Sequence, residues 1–150
     1  MLLEIKKAGK EDVATVALLF DGYRVFYKQA SNLEAAFDFL NQRISKNESV
    51  VFMATIDRAA VGFVQLYPIF SSVSLQPAWL LNDLYVAEKA RRQGVAEALL
   101  EQAKNFGKEN KAGWLMLQTA EDNYKAQSVY EKNGWIKEQD FFYVFPLGNK

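Results

Sequence analysis

The sequence predicts an α/β protein (mixed α+β) built on one mixed sheet with helices on its faces. Half of its 150 residues are apolar, which is enough for one sizeable core. Some segments have apolar residues three or four positions apart, as in helices, and others are short apolar or β-branched runs between turn residues, as in strands. In chain order they read βααβββαβαββ. No linker, repeat or low-complexity stretch interrupts residues 1–150, so we expect a single domain.

The N-terminal third is predicted to hold one strand and two helices. Residues 2–8, LLEIKKA, read as the strand, and residues 10–29 and 32–47 read as helices. Asp12 lies in the first turn of one helix, and Ser31 or Asn32 caps the other. The helical spacing predicts the inner faces: Val13, Val16, Leu19 or Phe20, and Tyr23 in the first helix, and Leu33, Phe37 and Leu40 in the second.

The rest of the chain is predicted as a meander followed by two helices and three strands. Residues 49–57, 59–72 and 77–88 form the meander, because they are rich in β-branched and aromatic residues and are separated by turn-like DRAA and SSVSLQP. A helix from about Arg91 to its C-cap at Gly107 has an inner stripe of Val95, Leu99, Ala103 and Phe106. Residues 113–120 read as a strand buried on both faces, residues 123–134 as a helix, and residues 135–139 and 140–147 as two closing strands.

Composition excludes several classes of function. Lys and Arg together number 18, as do Asp and Glu, so the formal net charge is zero and neither nucleic acid nor an anionic membrane is expected as a partner. The chain has no Cys and no His, which excludes a Cys nucleophile, a Ser-His-Asp triad and a zinc-hydrolase site, and we expect no metal. Charged residues interrupt the apolar N-terminus, and no apolar run is long enough to span a membrane, so we expect a cytoplasmic protein.

An unusual feature is the basic start of the third predicted helix. Arg91, Arg92, Gln93 and Gly94 stand where the helix dipole favours negative charge. A helix start has free N–H groups, and a glycine lets a phosphate approach the backbone, so two arginines there suit a bound anion. An exposed basic helix start beside Glu88 and Glu97 is the alternative interpretation. Neither a P-loop nor G-x-G-x-x-G is present.

Two motifs then carry a family resemblance. LYVAEKARRQGVAEALL is similar to the acyl-CoA signature [QR]-x-x-G-x-[GA] of the GNAT superfamily of N-acyltransferases, with Arg91, Gly94 and Ala96 at its fixed positions. TAEDNYKAQSVYEKNGW resembles the second motif of that family; the matching residues are Asn123, Ala126, Tyr130, Gly134 and Trp135. The resemblance implies a GNAT-like fold, with a central, mixed and mostly antiparallel sheet of six to seven strands flanked by four helices. It also implies an N-acetyltransferase that uses acetyl-CoA.

The resemblance assigns the residues that would hold acetyl-CoA. The backbone of Leu84, Tyr85 and Val86 would bind the pantetheine arm. The pyrophosphate would lie against the loop and helix start formed by Arg91, Arg92, Gln93, Gly94, Val95, Ala96 and Glu97. Asn123 and Ala126 would contact the pantetheine or its end, and Tyr130 would reprotonate the CoA sulfur as general acid. A phenol of pKa ~10 can donate at neutral pH, and the position of Tyr130 in the motif favours this role over the alternative, a Tyr that packs on the inner face of the helix beside Val129.

The base is less well defined by sequence. LLNDLYV resembles a stretch of the spermidine/spermine acetyltransferases in which a Glu works through water, but Asn82 replaces that Glu. Asn82 can orient a water and cannot accept a proton at neutral pH, whereas Asp83 is expected to face the opposite side of the strand. Glu121 and Asp122 are weaker candidates. A water relay could replace a single base.

The acceptor is expected to be a primary amine: a polyamine, an amino acid or a peptide lysine. Tyr23, Phe26 and Tyr27 lie on overlapping faces of the first helix, which walls the acceptor site in this family. Residues at this spacing are more often core. In this region the chain looks nearest to diamine and histone/polyamine-type acetyltransferases. A non-catalytic acyl-CoA sensor and a pure interaction module are the rival functions. The closing FFYVFPL is apolar on both faces, which predicts a homodimer.

Overall fold

A computed structural model describes residues 1–149 and divides them into two compact units. The first comprises Met1–Gln118 and the second begins at Thr119. Among the described residues, no helix has both the length and the apolar character needed to span a membrane.

The first unit is built on a five-stranded sheet. The strands are β1 (Leu3–Lys7), β2 (Val50–Ile56), β3 (Ala59–Ser71), β4 (Gln76–Val86) and β5 (Leu115–Met116), in spatial order β1-β2-β3-β4-β5. The first four pair antiparallel, and β4 pairs parallel with β5. The β2–β3 hairpin turns at Asp57 and Arg58, whose positive φ values of 49° and 71° suit the twist of a two-residue turn. The predicted mixed, mostly antiparallel sheet is confirmed, although it has five strands rather than six to seven.

Three helices cover this sheet, and α1 and α2 join it in one core. They are α1 (Val13–Phe26), α2 (Leu33–Ser45) and α3 (Val95–Glu109). The inner face of α1 buries Val13, Val16, Ala17 and Phe20 against a core that includes Leu40 and Phe63. The predicted inner face of α2 was partly wrong: Ala36 and Leu40 are buried, while Leu33 and Phe37 are 44% and 37% exposed. The small side chain of Ala36 lets α2 approach the core closely and leaves the bulkier neighbours at the rim.

Both predicted ends of α3 differ from the structure. The helix begins at Val95, not near Arg91, because Arg92 and Gly94 have φ values of 64° and 80° that a right-handed helix excludes. It continues past Gly107 to Glu109, so Gly107 is not the C-cap. A Cβ at Gly107 would lie 3.2 Å from Leu115 Cδ2, so the glycine allows β5 to pack close to the helix.

In the second unit, the described residues 119–149 form one helix, α4 (Tyr124–Lys132). Its N-cap Asn123 accepts a hydrogen bond from the Ala126 N–H at 3.1 Å, and Trp135 lies near Tyr130 with ring centroids 6.2 Å apart. The two closing strands predicted at 135–139 and 140–147 were wrong, since no residue from 135 to 149 joins a ladder. A segment with the composition of a strand becomes a β-strand only when its backbone N–H and C=O groups pair with those of a partner strand.

Candidate functional site

A buried carboxylate with several hydrogen-bond donors around it, Asp83, lies next to a break in the β3–β4 register. Gln65 is opposite Asp83 and Leu66 is opposite Leu81, so Asn82 is the extra residue of a β-bulge on β4. A bulge interrupts the alternation of side chains along a strand. The prediction that Asp83 faces away from Asn82 was therefore wrong: the Asn82 Nδ2 donates to Asp83 Oδ1 at 3.1 Å, and both side chains line one cavity.

That cavity has a volume of about 370 Å³ and lies among α1, α2 and the adjoining strands. Most of its wall is aromatic or small, and Asp83 supplies a buried carboxylate. The lining residues are Phe20, Tyr23 and Arg24 of α1, Ala35, Ala36 and Phe39 of α2, Tyr67 of β3, and Asn82 and Asp83 of β4. A pocket of this kind, apolar with a few placed polar groups, suits a small ligand.

The Asp83 carboxylate is held on both oxygens. Gln65, which is fully buried, donates its Nε2 to Asp83 Oδ2 at 2.6 Å, and Asn82 Nδ2 donates to Oδ1. The Tyr23 hydroxyl donates to Asn82 O at 3.5 Å and also lowers the pKa of this carboxyl group. Burial raises the pKa of Asp83, and the hydrogen bonds from Gln65, Tyr23 and Asn82 oppose that rise only in part. Within residues 1–149 no cationic side chain forms an ion pair with it. The site therefore holds a buried acid that a cationic ligand would neutralise.

Tyr67 is affected by the same environment. Its own burial and then the negative charge of Asp83 raise the pKa of Tyr67 to about 12, while the charge of Arg43 lowers it slightly. The phenol is consequently neutral across the physiological range. It can contribute an aromatic wall and one hydroxyl to the cavity, but no charge.

The aromatic residues predicted on α1 occupy different environments. Tyr23 lies in the cavity wall and stacks near Phe20, with ring centroids 6.3 Å apart. Phe26 and Tyr27 are 59% and 57% exposed and contact each other edge to face. Neither lines the cavity, and neither belongs to the core that the spacing favoured.

A second candidate region is the loop between β4 and α3, where an open cradle is formed. Gly94 caps α3 in the left-handed conformation, and among the described residues no heavy atom outside Gly94 and its chain neighbours lies within 4 Å of the position that its Cβ would take. The first intrahelical bond is donated by the Ala98 N–H to Gly94 O at 3.0 Å, so the N–H groups of Val95, Ala96 and Glu97 precede it. Val95 is buried and could offer only its backbone to a ligand. These donors suit an anion.

The two arginines of this loop differ in what they contact. Arg91 donates its Nε to Val86 O at 2.9 Å, and its guanidinium lies 5.5 Å and 6.0 Å from the ring centroids of Phe26 and Tyr85. Arg91 thus fixes the start of the loop to β4 and α1. Arg92 is exposed, and Gln93 donates its Nε2 to Lys89 O at 3.3 Å.

The strand that precedes this loop has an incomplete edge. Leu84, Tyr85 and Val86 pair with β3, but β5 pairs with β4 only at Trp79↔Leu115 and Leu80↔Met116. Among the described residues, the β5 side of β4 beyond Leu80 therefore has backbone groups without a ladder partner. Such groups can hydrogen-bond an extended ligand.

Sequence reasoning missed the residues that surround Asp83. Gln65, Tyr67, Phe20, Arg24 and the α2 wall come together only through the packing of four elements. One signal was available: Gln65 is the single polar residue in VGFVQLY, and a buried polar side chain needs a partner. No group of three or more His, Cys, Asp or Glu side chains suited to a metal occurs among residues 1–149.

Comparison with known proteins identifies close relatives. The profile of the Acetyltransferase (GNAT) family matches residues 16–135. The uncharacterized N-acetyltransferase YhfO of Bacillus subtilis (strain 168) is 44% identical over 139 residues, which are 93% of each chain. A probable acetyltransferase of Haemophilus influenzae is 34% identical and covers 89% of this chain and 90% of its own. The crystal structure of a probable acetyltransferase, 43% identical, has a TM-score of 0.93 over 98% of this chain and 99% of that chain. None of these matches supports the polyamine or histone-type subfamily.

Proposed function

Because the chain belongs to the GNAT family of acetyltransferases, which use acetyl-CoA, we propose that it transfers the acetyl group directly to a primary amine bound in the cavity at Asp83. The observation that carries this proposal is the buried carboxylate in an aromatic cavity, with no cationic partner in the described chain. Polyamines, amino acids and peptide lysines are the candidate acceptor classes.

In the proposed reaction the acceptor enters as an ammonium and gives one proton to Asp83, directly or through a water oriented by Asn82. A raised pKa makes this carboxylate a better proton acceptor than an ordinary one. The free amine attacks the thioester carbonyl, the C–N bond forms, and the C–S bond breaks. The thiolate takes a proton from Tyr130. The Tyr130 phenolate is later reprotonated by the second proton that the attacking nitrogen loses as the neutral amide forms. The net reaction releases one proton to solvent, and no covalent enzyme intermediate is required.

The proposed acetyl-CoA site uses the edge of β4 and the cradle at α3. The pantetheine arm would hydrogen-bond with backbone groups of Leu84 to Val86 on the edge of β4 that β5 leaves open, where Val86 O already accepts from Arg91. The pyrophosphate would lie on the N–H groups of residues 94–97 with Arg92 nearby. Asn123, Ala126 and Tyr130 are assigned from their positions in the second motif. Arg91 is assigned to shaping this loop, since its guanidinium already contacts Val86, Phe26 and Tyr85.

An acceptor panel tests the proposal as a whole. The chain is supplied with acetyl-CoA and single primary amines, and release of the CoA thiol is followed. Acetylation of at least one amine that depends on Asp83 is expected. Thiol release that is the same with and without every amine would contradict the proposal.

Gly94→Asp is expected to weaken CoA binding by at least tenfold, because a carboxylate would enter a cradle that we assign to the pyrophosphate. Gly94→Asn is the matched control, since Asn has the same shape without the charge and tolerates the left-handed conformation at φ 80°. Isothermal titration with CoA measures both variants. Equal affinities for Gly94→Asp and the unsubstituted chain would remove the cradle from the site.

We also propose that the chain forms a homodimer through residues 141–147. Phe141, Tyr143 and Phe145 are each at least 85% exposed. So many exposed aromatic side chains close together are unusual in a soluble monomer and are typical of an interface. Light scattering is expected to give twice the chain mass of 17.1 kDa at micromolar concentration. Phe145→Glu should return the mass to one chain, whereas Phe70→Glu, at another exposed aromatic, should not. A single-chain mass for the unsubstituted protein would exclude the dimer.

A further inference from the structure

The charges around the cavity at Asp83 restrict which amines it can accept. Of the nine side chains that line it, Asp83 is acidic and Arg24 is basic, and the other seven are uncharged. Asp83 is 4% exposed and Arg24 is half-buried, so the negative charge is the deeper of the two. Arg24 forms no ion pair with Asp83 in the described part of the chain; its Nη1 donates to Ala30 O at 3.5 Å, and its charge lowers the pKa of Asp21. The cavity is thus lined by one acidic and one basic side chain that are not paired with each other.

Other acids near α1 are already engaged elsewhere. Asp21, three residues before Arg24, accepts hydrogen bonds from the Ser31 hydroxyl at 2.6 Å and from the Asn32 N–H at 2.8 Å. These bonds tie the end of α1 to the start of α2, and Asp21 is not part of the cavity wall. A second ammonium on a ligand would therefore find Arg24 and aromatic rings in the lining, and no second carboxylate.

The remaining wall suits hydrocarbon. Phe20 and Phe39 stack with ring centroids 5.8 Å apart, and Tyr23 and Tyr67 add two more rings. Aromatic faces bind alkyl groups and also favour an ammonium next to a carboxylate. The aromatic side chains of the wall offer few hydrogen bonds to an acceptor that carries many hydroxyls or several charges. Removing such an acceptor from water would therefore be unfavourable.

From this arrangement we infer that the acceptor is a primary amine with a single positive charge on an apolar body, and that Arg24 excludes amines with a second positive charge. The inference rests on the proposed function and narrows it. Asp83 receives the ammonium that reacts, the rings hold the hydrocarbon, and Arg24 repels a second cation. Polyamines and aminoglycosides, which carry several ammonium groups, are poor acceptors on this basis.

A matched pair of amines tests this inference. n-Pentylamine and 1,5-diaminopentane have the same carbon chain and differ by one terminal ammonium. With the unsubstituted protein, kcat/KM for pentylamine is expected to exceed that for the diamine by about tenfold, as one like charge at a partly exposed site would produce. Arg24→Glu is expected to reduce this ratio by about tenfold or invert it, with Arg24→Gln between the two.

The controls separate the possible failures. Lys7→Glu makes the same charge change at an exposed position on β1, outside the cavity, and should leave the ratio as it is. Melting temperatures and CoA affinities of the Arg24 variants show that each is folded. A diamine that matches or exceeds pentylamine in the unsubstituted protein, or a ratio unmoved by Arg24→Glu, overturns the inference and leaves the proposed function standing. Absence of thiol release with every amine overturns the proposed function and this inference together.

Discussion

Asp83→Asn is expected to lower kcat/KM for the best amine by about 10²–10⁴-fold, the usual contribution of a general base. The substitution keeps the shape of the side chain and one oxygen that can accept from Gln65 Nε2, but it removes the proton acceptor, the negative charge and the second oxygen, which accepts from Asn82 Nδ2. Asp38→Asn, at an exposed position on α2 outside the cavity, is the control and should retain full activity. An Asp83→Asn rate within about twofold of the unsubstituted protein would assign the base to another group.

The same variant should be at least as stable as the unsubstituted protein at pH 7. Because burial raises the pKa of Asp83 in the folded state, ionising this group disfavours folding. Protonated Asp83 therefore contributes to the free energy of unfolding in full below the unfolded-state pKa of about 3.9. This contribution is lost as pH rises through the raised pKa of the folded state. Asn carries no such cost, so the two melting temperatures should converge in acid. A large fall in melting temperature at pH 7 would show that Asp83 stabilises the fold instead of weakening it.

The pH–rate profile gives an independent check. If ionised Asp83 accepts the proton, the acid limb of kcat/KM should lie above the ordinary carboxyl range, and activity should fall as pH drops through it. The groups that face Asp83 are Gln65 of β3, Asn82 of β4 and Tyr23 of α1, and Tyr67 lies in the same cavity. Gln65 and Asn82 carry no titratable proton, and the pKa of Tyr67 is raised to about 12, so Asp83→Asn should abolish the limb.

Tyr130→Phe is expected to lower kcat by about 10²–10⁴-fold with little change in acetyl-CoA affinity. The substitution keeps the ring beside Trp135 and removes only the hydroxyl that is proposed to protonate the leaving thiolate. Any basic limb set by this phenol should disappear as well. The loss should appear in kcat because the hydrogen bond strengthens only as the thiolate forms.

Tyr124→Phe provides a matched control on the same helix. Tyr124 is 74% exposed at the start of α4 and lies outside the positions that the second motif fixes. Steady-state kinetics on both variants, with isothermal titration of CoA, separates catalysis from binding. A Tyr130→Phe enzyme that turns over its best amine within about twofold of the unsubstituted rate would show that water, or another donor, protonates the thiolate.

The amino-acid sequence by itself determined the family, the class of fold and the residues of the two motifs. Motif spacing is a property of the chain alone, so Arg91, Gly94 and Tyr130 could be matched to positions of the two family motifs from their order and separation. Helical periodicity likewise placed α1, composition and turn residues placed strands β2 to β4, and the Asn133-Gly134 stop placed the end of α4, because each of these signals is local to one element. A glycine at position 94 suits the left-handed conformation and the open space that the structure has there, while its role in holding a phosphate stays a prediction.

The tertiary structure alone decided what depends on contacts between elements. Because Asn82 has no partner on β3, the side-chain alternation of β4 is shifted by one residue. Asp83 and Asn82 therefore line one cavity, although they are adjacent in the strand. Which face of α2 is buried, and how far α3 continues past Gly107, follow from close packing against α1 and β5. Residues 135–147 have the composition of strands and pair with none, since a ladder requires a partner. The pairing of Gln65 with Asp83 bridges 18 residues of sequence, and no local pattern records such a contact.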